Sequence, residues 1–352
     1  MTRVRMKSSP ACVTFRVLSA GLLWAALIPL PADAQFTPTK HSEYQAVNPD
    51  GTNAWPPGGV PPYPIEMTGV VINNPWDMLD YSNSVPMPPG PQWQVYIQTT
   101  AADDFGGTAL YMRRYTPWPP FTDLYPGTGW DDEMDRLNYP VYEPTGSPAA
   151  EPLRVGDRIK VQAEAPGLFY NGKYNINTQH SNDPDKEFHI TILERDLTPL
   201  ASDIDLSALK HADDSFIFDS TRATGCEHYQ ASLVHLDNLL LDNPEDWAPY
   251  DPDNPLIVRQ GSLTFPMVLG IDPDLFSSVD PYALSTTPFS LTAILDQESS
   301  DPTTGYRLWL ANAADLGIQT TIIPEPGTAT IFGLGGLFIV LGLRRRRLQR
   351  AA

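Results

Sequence analysis

The sequence predicts an all-β chain, and three observations carry that expectation. Apolar and polar residues alternate at every second position over short runs, the period of a half-buried strand. The runs are rich in Val, Ile, Thr and aromatic residues, and clusters of Gly, Pro, Asn and Asp bound them. Long amphipathic helices are absent, and the 37 prolines of the 352 residues fall mostly between the apolar runs.

Residues 35–64, rich in Pro, Asn and Gly without periodicity, read as an extended arm. A first set of strands follows at Ile65–Asn73, Gln92–Thr99, Thr108–Arg114 and Asp157–Glu164. It closes with a Leu168–Asn177 hairpin around Asn171-Gly172, the residue pair that a tight two-residue turn favours, and with Glu187–Leu193. After a linker at 201–225 the second set runs through His228–Leu241, Leu256–Gln260, Leu263–Leu269, Pro288–Leu295 and Tyr306–Ala311. The two sets align in order. Each has a long strand, a pair across a short turn, an irregular connection, a further strand, a turn-rich break and a last strand. Three strands, a link and two more is the layout of the OB-fold, a small five-stranded Greek-key barrel. The expectation is therefore two tandem OB-like five-stranded barrels, at 65–200 with an insertion at 115–152 and at 226–320. A β-sandwich is the alternative pairing of the same strands.

The stretches Arg154-Val155-Gly156-Asp157-Arg158-Ile159-Lys160-Val161 and Phe169-Tyr170-Asn171-Gly172-Lys173 resemble OB-like domains of exported bacterial proteins. In those domains a Gly-Asp turn launches the fourth strand. The second half, with Leu291 to Gln297 before Gly305-Tyr306, fits the same scheme without that turn.

The C-terminal segment, 321–352, carries an address. Pro324-Glu325-Pro326 precedes sixteen residues without a charge (Thr328 to Leu343), and Arg344-Arg345-Arg346-Arg347 follow. As a helix, 328–343 reaches roughly 24 Å, slightly less than a hydrocarbon core of roughly 30 Å, and arginines can snorkel to extend it. The arginines should stay cytoplasmic, which places the rest of the chain outside. Pro-Glu-Pro cannot continue a helix and marks an extended junction. These parts, in this order, resemble the PEP-CTERM sorting signal. The resemblance implies recognition and cleavage by exosortase, an integral-membrane cysteine transpeptidase, in a bacterium with an outer membrane. It also implies transient anchoring in the inner membrane through the helix, then sorting to the cell surface or extracellular matrix, with re-attachment to another molecule and release both open. An ordinary uncut tail anchor is the alternative.

The other end reads as a signal peptide, 1–34. Arg3, Arg5, Lys7 and Arg16 precede an apolar run, Val17 to Leu30, and Ala32-Asp33-Ala34 offers signal peptidase a cut before Gln35. The expected partners are the general secretion machinery, signal peptidase and exosortase. Cys12 leaves with the peptide, so the mature chain keeps Cys226 alone and forms no internal disulfide.

Removing the four basic and one acidic residues of 1–34, and the five arginines of 344–352, leaves 14 basic against 41 acidic residues, a net of −27. Nucleic-acid affinity depends on Lys and Arg displacing counterions, so nucleic acid is not an expected partner.

Catalytic chemistry is not legible. The six histidines (His41, His180, His189, His211, His228 and His235) include no pair at the helical i, i+4 spacing of a zinc site. No Gly-x-Ser-x-Gly elbow or phosphate loop occurs. Asp-Pro-Asp recurs at Asp183–Asp185, Asp251–Asp253 and Asp272–Asp274, oxygen-rich turns that could hold Ca²⁺ or simply turn the chain. The acidic run Asp131-Asp132-Glu133 is a fourth cluster. The insertion at 115–152 carries Trp118, Phe121, Tyr125 and Trp130 among carboxylates. Rings that stack on a sugar face and acids that accept its hydroxyls suit carbohydrate; the alternative is a loop packing its own aromatics onto the barrel.

The expectation is an exported, non-catalytic protein with no cofactor, sorted by exosortase, that binds or organises exopolysaccharide. The alternatives are an accessory module or remnant of a secreted hydrolase or nuclease, and an OB protein for single-stranded nucleic acid.

Overall fold

The computed structural model describes residues 36–55, 63–84, 90–116, 119–164, 167–177, 187–248 and 254–317. The signal peptide with Ala32, Ala34 and Gln35 lies outside them, as do the C-terminal signal with Pro324, Glu325, Pro326 and Arg344 to Arg347, and also His180. Among the described residues no helix is long and apolar enough to cross a membrane.

The chain is all-β with short helices, in two lobes that share one compact unit. The second lobe holds β11 (Ser202–Asp203), β12 (Leu233–Leu241), β13 (Leu256–Gln260), β14 (Leu263–Leu269), β15 (Phe289–Gln297), β16 (Tyr306–Leu310) and β17 (Leu316–Gly317). Five of these close a barrel in the order β12-β13-β14-β16-β15, with β15 returning to β12. β14 and β16 run parallel and the other rungs are antiparallel. Closure depends on β12, which pairs with β15 through Leu239 and then with β13 from Leu240. The register shifts between Leu236 and Leu239, where Asn238 has φ 56°, and such a bulge bends a strand from one partner to the next. Alternate residues point inward, so Val234, Leu236, Val258, Phe265, Met267, Leu291, Leu295 and Leu308 fill the barrel.

The first lobe holds β1 (Thr37–Pro38), β2 (Ile65–Val71), β3 (Gln92–Gln98), β4 (Gly107–Arg113), β5 (Val141–Tyr142), β6 (Ser147–Pro148), β7 (Arg158–Ala163), β8 (Leu168–Tyr170), β9 (Lys173–Asn177) and β10 (Phe188–Glu194). They form one ten-stranded sheet along the path β6-β5-β10-β7-β2-β3-β4-β9-β8, with β1 beside β2. β4 and β9 are parallel, as are β14 and β16. The β8–β9 turn is Asn171-Gly172 with φ 51° and 93°, left-handed at both positions as such a turn requires. Trp93, Val95, Ile97, Leu110, Met112, Ile159, Val161, Phe188 and Ile192 form this lobe's core.

Two expectations change. Residues 36–55 are not an extended arm, because α1 (His41–Tyr44) seats His41, Tyr44 and Gln45 in the interior. Residues 201–225 do not act as a free linker, because β11 pairs with β12 while Leu206, Leu209 and Arg222 are buried.

The lobes meet where strands are buried on both faces. Ile72, Met78, Tyr96 and Ala109 of the first lobe pack on Ala231, Val268, Ile294, Trp309 and Ala311 of the second. Polar groups seal the seam. The carboxylate of Asp296, fully buried, accepts from Tyr96 Oη at 2.6 Å and from Arg307 Nε and Nη2 at 3.0 and 2.9 Å, and it pairs with Lys173 of β9. Burial opposes its ionisation, but Lys173 and Arg307 outweigh burial and hold its carboxyl below the ordinary range.

Candidate functional site

The insertion is built on α3 (Gly129–Asn138), a ten-residue helix. Trp130, Met134 and Leu137 follow an i, i+4, i+7 spacing and are buried, so the helix lies with that stripe on the sheet. Polar pins fix its pitch. Trp130 Nε1 donates to the Tyr81 carbonyl at 2.9 Å and Trp93 Nε1 to Asn138 Oδ1 at 2.9 Å. Arg136 donates to the Phe188 carbonyl at 2.8 Å and to the Glu133 carboxylate at 2.5 and 2.8 Å.

Rigid on one side, the helix shows solvent the other. Asp131, Asp132, Asp135 and Tyr139 are exposed, and Asp131, Asp135 and Tyr139 recur every four residues along one face. That face borders a groove of about 490 Å³, walled opposite by Trp76 and by Tyr81, Ser82 and Asn83. Trp76 rides on α2 (Pro75–Met78), directly after β2, with 42% of its surface free, and Tyr139 has the same exposure. A second cavity of about 660 Å³ opens on the other side of Tyr139 and Asp135, lined by Arg136, Val141, His189 and Thr191 among others. Tyr139 thus stands as a ridge between two depressions.

The electrostatics are one-sided. Asn83 links Asp131 to Arg114 by short hydrogen bonds, but the Arg114 guanidinium grips Asp123 through Nη2 at 2.8 Å and Nε at 3.2 Å. Arg136 is held by Glu133 and Phe188, as above. Burial raises the Tyr81 phenol above its ordinary value, and Tyr139, Asp80 and Asp135 push it the same way. Chemically the groove offers two aromatic faces and a row of oxygen acceptors.

Two of the four aromatics named from the sequence lie in the core. Tyr125 and Trp130 are core residues, packed edge to face at 5.5 Å, so neither ring can meet a ligand. Phe121 is half-buried, and Trp118 lies outside the described residues. The exposed rings that border this groove, Trp76 and Tyr139, come from α2 after β2 and from the end of α3. The second could have been found by extending the helical stripe from Asp131 through Asp135 to 139; nothing in the sequence joins Trp76 to it.

Of the acidic turns, Asp183, Asp185, Asp251 and Asp253 lie outside the described residues. Asp272 caps α5 (Pro273–Ser277), with one carboxylate oxygen accepting from Asp274 N at 3.0 Å and the other from Ala313 N at 2.9 Å. Asp274 takes the Ser277 hydroxyl at 3.5 Å. Among the described residues no group of three or more His, Cys, Asp or Glu is arranged to hold a metal ion. His228 belongs to α4 (Gly225–Tyr229) rather than to a strand, and stacks on Phe105. Cys226 is buried beside it.

No protein-family model matches this chain, and no curated protein matches its sequence.

Proposed function

We propose that this chain is an exported, non-catalytic protein that binds or organises exopolysaccharide through the groove between Trp76 and α3. The observation that carries the reading is the pairing of two exposed rings, Trp76 and Tyr139, with Asp131, Asp135, Asn83 and Asn138 around one depression. Rings stack on the apolar faces of sugars, while carboxylates and amides bond their hydroxyls. The order of the terminal segments supports export and exosortase sorting, and the acidic charge suits an extracytoplasmic setting.

In the same reading both lobes are OB-like barrels in tandem. Support for the first comes from its ladder β7-β2-β3-β4-β9, which repeats β15-β12-β13-β14-β16 with the same parallel third-to-fifth rung. Its fourth strand is then β7, ending at Ala163, and β8, beginning at Leu168, taken together. The first lobe's outer β3–β4 surface, where OB-folds take oligomers, is covered by the second lobe at Tyr96 and Ala109. Ligand binding in this reading therefore moves to the insertion.

Two experiments test it. Electrophoresis through gels cast with the host's exopolysaccharide should retard the protein, and Trp76→Ala with Tyr139→Ala should restore free mobility without altering the melting temperature. Unchanged retardation would remove the groove from the reading. Mass determination of the C-terminus from surface and medium fractions should find chains ending near Pro324 to Gly327; intact chains retaining Arg344–Arg347 would refute exosortase processing.

A further inference from the structure

Resting on the glycan reading, we infer that the protein has a second sugar subsite at the end of β4, where the Arg113 guanidinium takes the carboxylate of a uronate residue. β4 alternates: Met112 enters the core opposite Trp93, while Tyr111 and Arg113 lie on the outer face. Gln92 of β3 stands directly across from Arg113. On the same face Tyr96 and Ala109 lie under the second lobe, and the Gln92–Arg113 end is four residues, about 13 Å, further along. Arg114, the next residue, turns to the opposite face, where it pairs with Asp123 and bonds Asn83 of the groove wall. Arg113 is the exception among the arginines. Among the described residues every other arginine pairs with a carboxylate. Arg113 has no ion pair there, and its Nε is buried without a hydrogen-bond partner. What it meets is the Tyr111 ring, with Cζ 5.7 Å from the centroid.

Folded chains rarely leave a buried N–H unpaired, so an orphaned guanidinium calls for an acceptor from outside the chain. Internal acids are not scarce, since the segment between the terminal signals holds 41. The one beside Tyr111, Glu298, is already held by Arg307. The surroundings then choose the ligand. The terminal nitrogens of a guanidinium form a planar fork that matches a carboxylate. With Nε out of water, that fork competes with less solvent than a fully exposed one. Tyr170 of β8 lies near Tyr111 with 51% of its surface free, a ring on which a sugar can stack. Burial pushes the Tyr111 phenol up to about 12, so it stays neutral beside the guanidinium. An acidic peptide would use the fork alone; a sugar acid uses the fork and the ring. Net charge sets the spacing of the acids. A strongly acidic protein repels a polymer with a carboxylate on every residue. The site therefore suits uronates set singly among neutral sugars.

The test is calorimetric titration of the full-length chain, in mild detergent, at neutral pH and physiological salt. The probes are a hexasaccharide alternating glucuronate with N-acetylglucosamine, the same hexasaccharide with its carboxyls reduced to alcohols, and a galacturonate hexamer. The alternating acid should bind about tenfold tighter than its reduced form, the scale of one charge-assisted hydrogen bond. The galacturonate hexamer should bind more weakly than the alternating acid. Arg113→Gln should bring the acid and reduced forms to equal affinity, and Arg113→Lys should keep part of the difference. Arg113→Gln should also leave the melting temperature unchanged; a fall would show the guanidinium committed within the fold, against the assignment. Lys160→Gln, an equal charge change on β7, should leave the preference intact.

The outcomes separate the two levels of inference. Equal affinity of the native chain for the acid and reduced forms, both lost in Trp76→Ala with Tyr139→Ala, overturns the uronate subsite and keeps the glycan reading. A preference that survives Arg113→Gln, or that Lys160→Gln removes as fully, places the attraction elsewhere and overturns the assignment. Displacement of the acid hexasaccharide by equimolar inorganic phosphate or by a glutamate-containing peptide makes the site one for anions at large and overturns the sugar class. No binding of any probe, or binding that none of these variants alters, overturns the glycan reading and the subsite together.

Discussion

Lowering the pH from about 7 to about 5 probes how the N-terminal segment is held to the first lobe. His41 is 1% exposed, with Nδ1 3.0 Å from Thr108 Oγ1 and Nε2 3.2 Å from the Thr68 carbonyl. The Thr68 carbonyl can only accept, so Nε2 carries the proton and Nδ1 accepts from Thr108, the neutral tautomer. Burial pushes the imidazole down from 6.5 to about 4, although Asp104 favours its protonation. Between those values the unfolded chain binds a proton that the folded chain does not. Stability is then complete above about pH 6.5 and is lost as pH falls toward about 4. The full shift corresponds to about 3 kcal/mol, of which about 2 kcal/mol falls between pH 7 and pH 5. Asp104 adds to the loss at lower pH, because its carboxyl is held below the ordinary range: burial opposes ionisation, but hydrogen bonds from Ser42 outweigh it. Urea unfolding of the native chain and of His41→Gln across this range measures the term. The native curve should drop by about 2 kcal/mol from pH 7 to pH 5 more than the variant's does. Parallel curves would refute the assignment.

Three further outcomes follow from the packing. Asp296→Asn leaves Lys173 buried without its counter-charge and leaves Arg307 to Glu298, so denaturant unfolding should show a loss of about 3–5 kcal/mol; a loss under about 1 kcal/mol would mean that the seam does not depend on the ion pairs. Gly107→Ala sets a Cβ 2.1 Å from the Ala231 carbonyl oxygen and 2.5 Å from that of Ile97, both rigid backbone, and should cost about 3 kcal/mol or more in the same assay. The Cys226 thiol, buried and pushed up by burial and by Glu227, should react with a disulfide reagent only as denaturant opens the second lobe; rapid labelling of the folded chain would contradict its placement.

The principal strands were legible because each buries one face. Gln92 to Gln98 alternates except at Tyr96, and the structure gives that strand the same limits to within a residue. What alternation misstates is the other face. Gln94 and Gln98 look solvent-facing in a list of residues, yet they are 5% and 6% exposed because the second lobe covers them. Gln98 spans the seam, donating to the Leu200 carbonyl at 2.9 Å and accepting from Leu233 N at 3.0 Å. Asp296 and Arg307 are hidden in the same way. The period of a strand reports one neighbour layer, so tertiary contacts on the polar face leave no trace in it. α3 escaped for a related reason: three apolar positions among Asp, Glu and Arg over ten residues are too few to stand out in a turn-rich insertion. Of the four rings on which the carbohydrate expectation for that insertion rested, Tyr125 and Trp130 are buried and Phe121 is half-buried, while Trp118 lies outside the described residues.

The seam also bears on which ligands the fold can take. A strand bound along the outer face of β3 and β4 in the first lobe would have to displace the second lobe from Tyr96 and Ala109. Separation strips Lys173 from Asp296 and exposes the apolar seam, so a ligand at that face would first have to offset the loss of those contacts. On the second lobe the outer β13–β14 surface stays partly open along Ile257, Arg259 and Thr264. There Arg259 already pairs with Asp242 at 2.9 Å, and Thr264 bonds Asp214 at 2.6 Å, so the open part offers phosphate little free positive charge. The groove beside α3 is formed without parting the lobes, on a helix pinned by the hydrogen bonds of Trp130, Arg136 and Asn138, with Trp76 and Tyr139 exposed. In the proposed glycan reading, a ligand there gains contacts without first opening the protein.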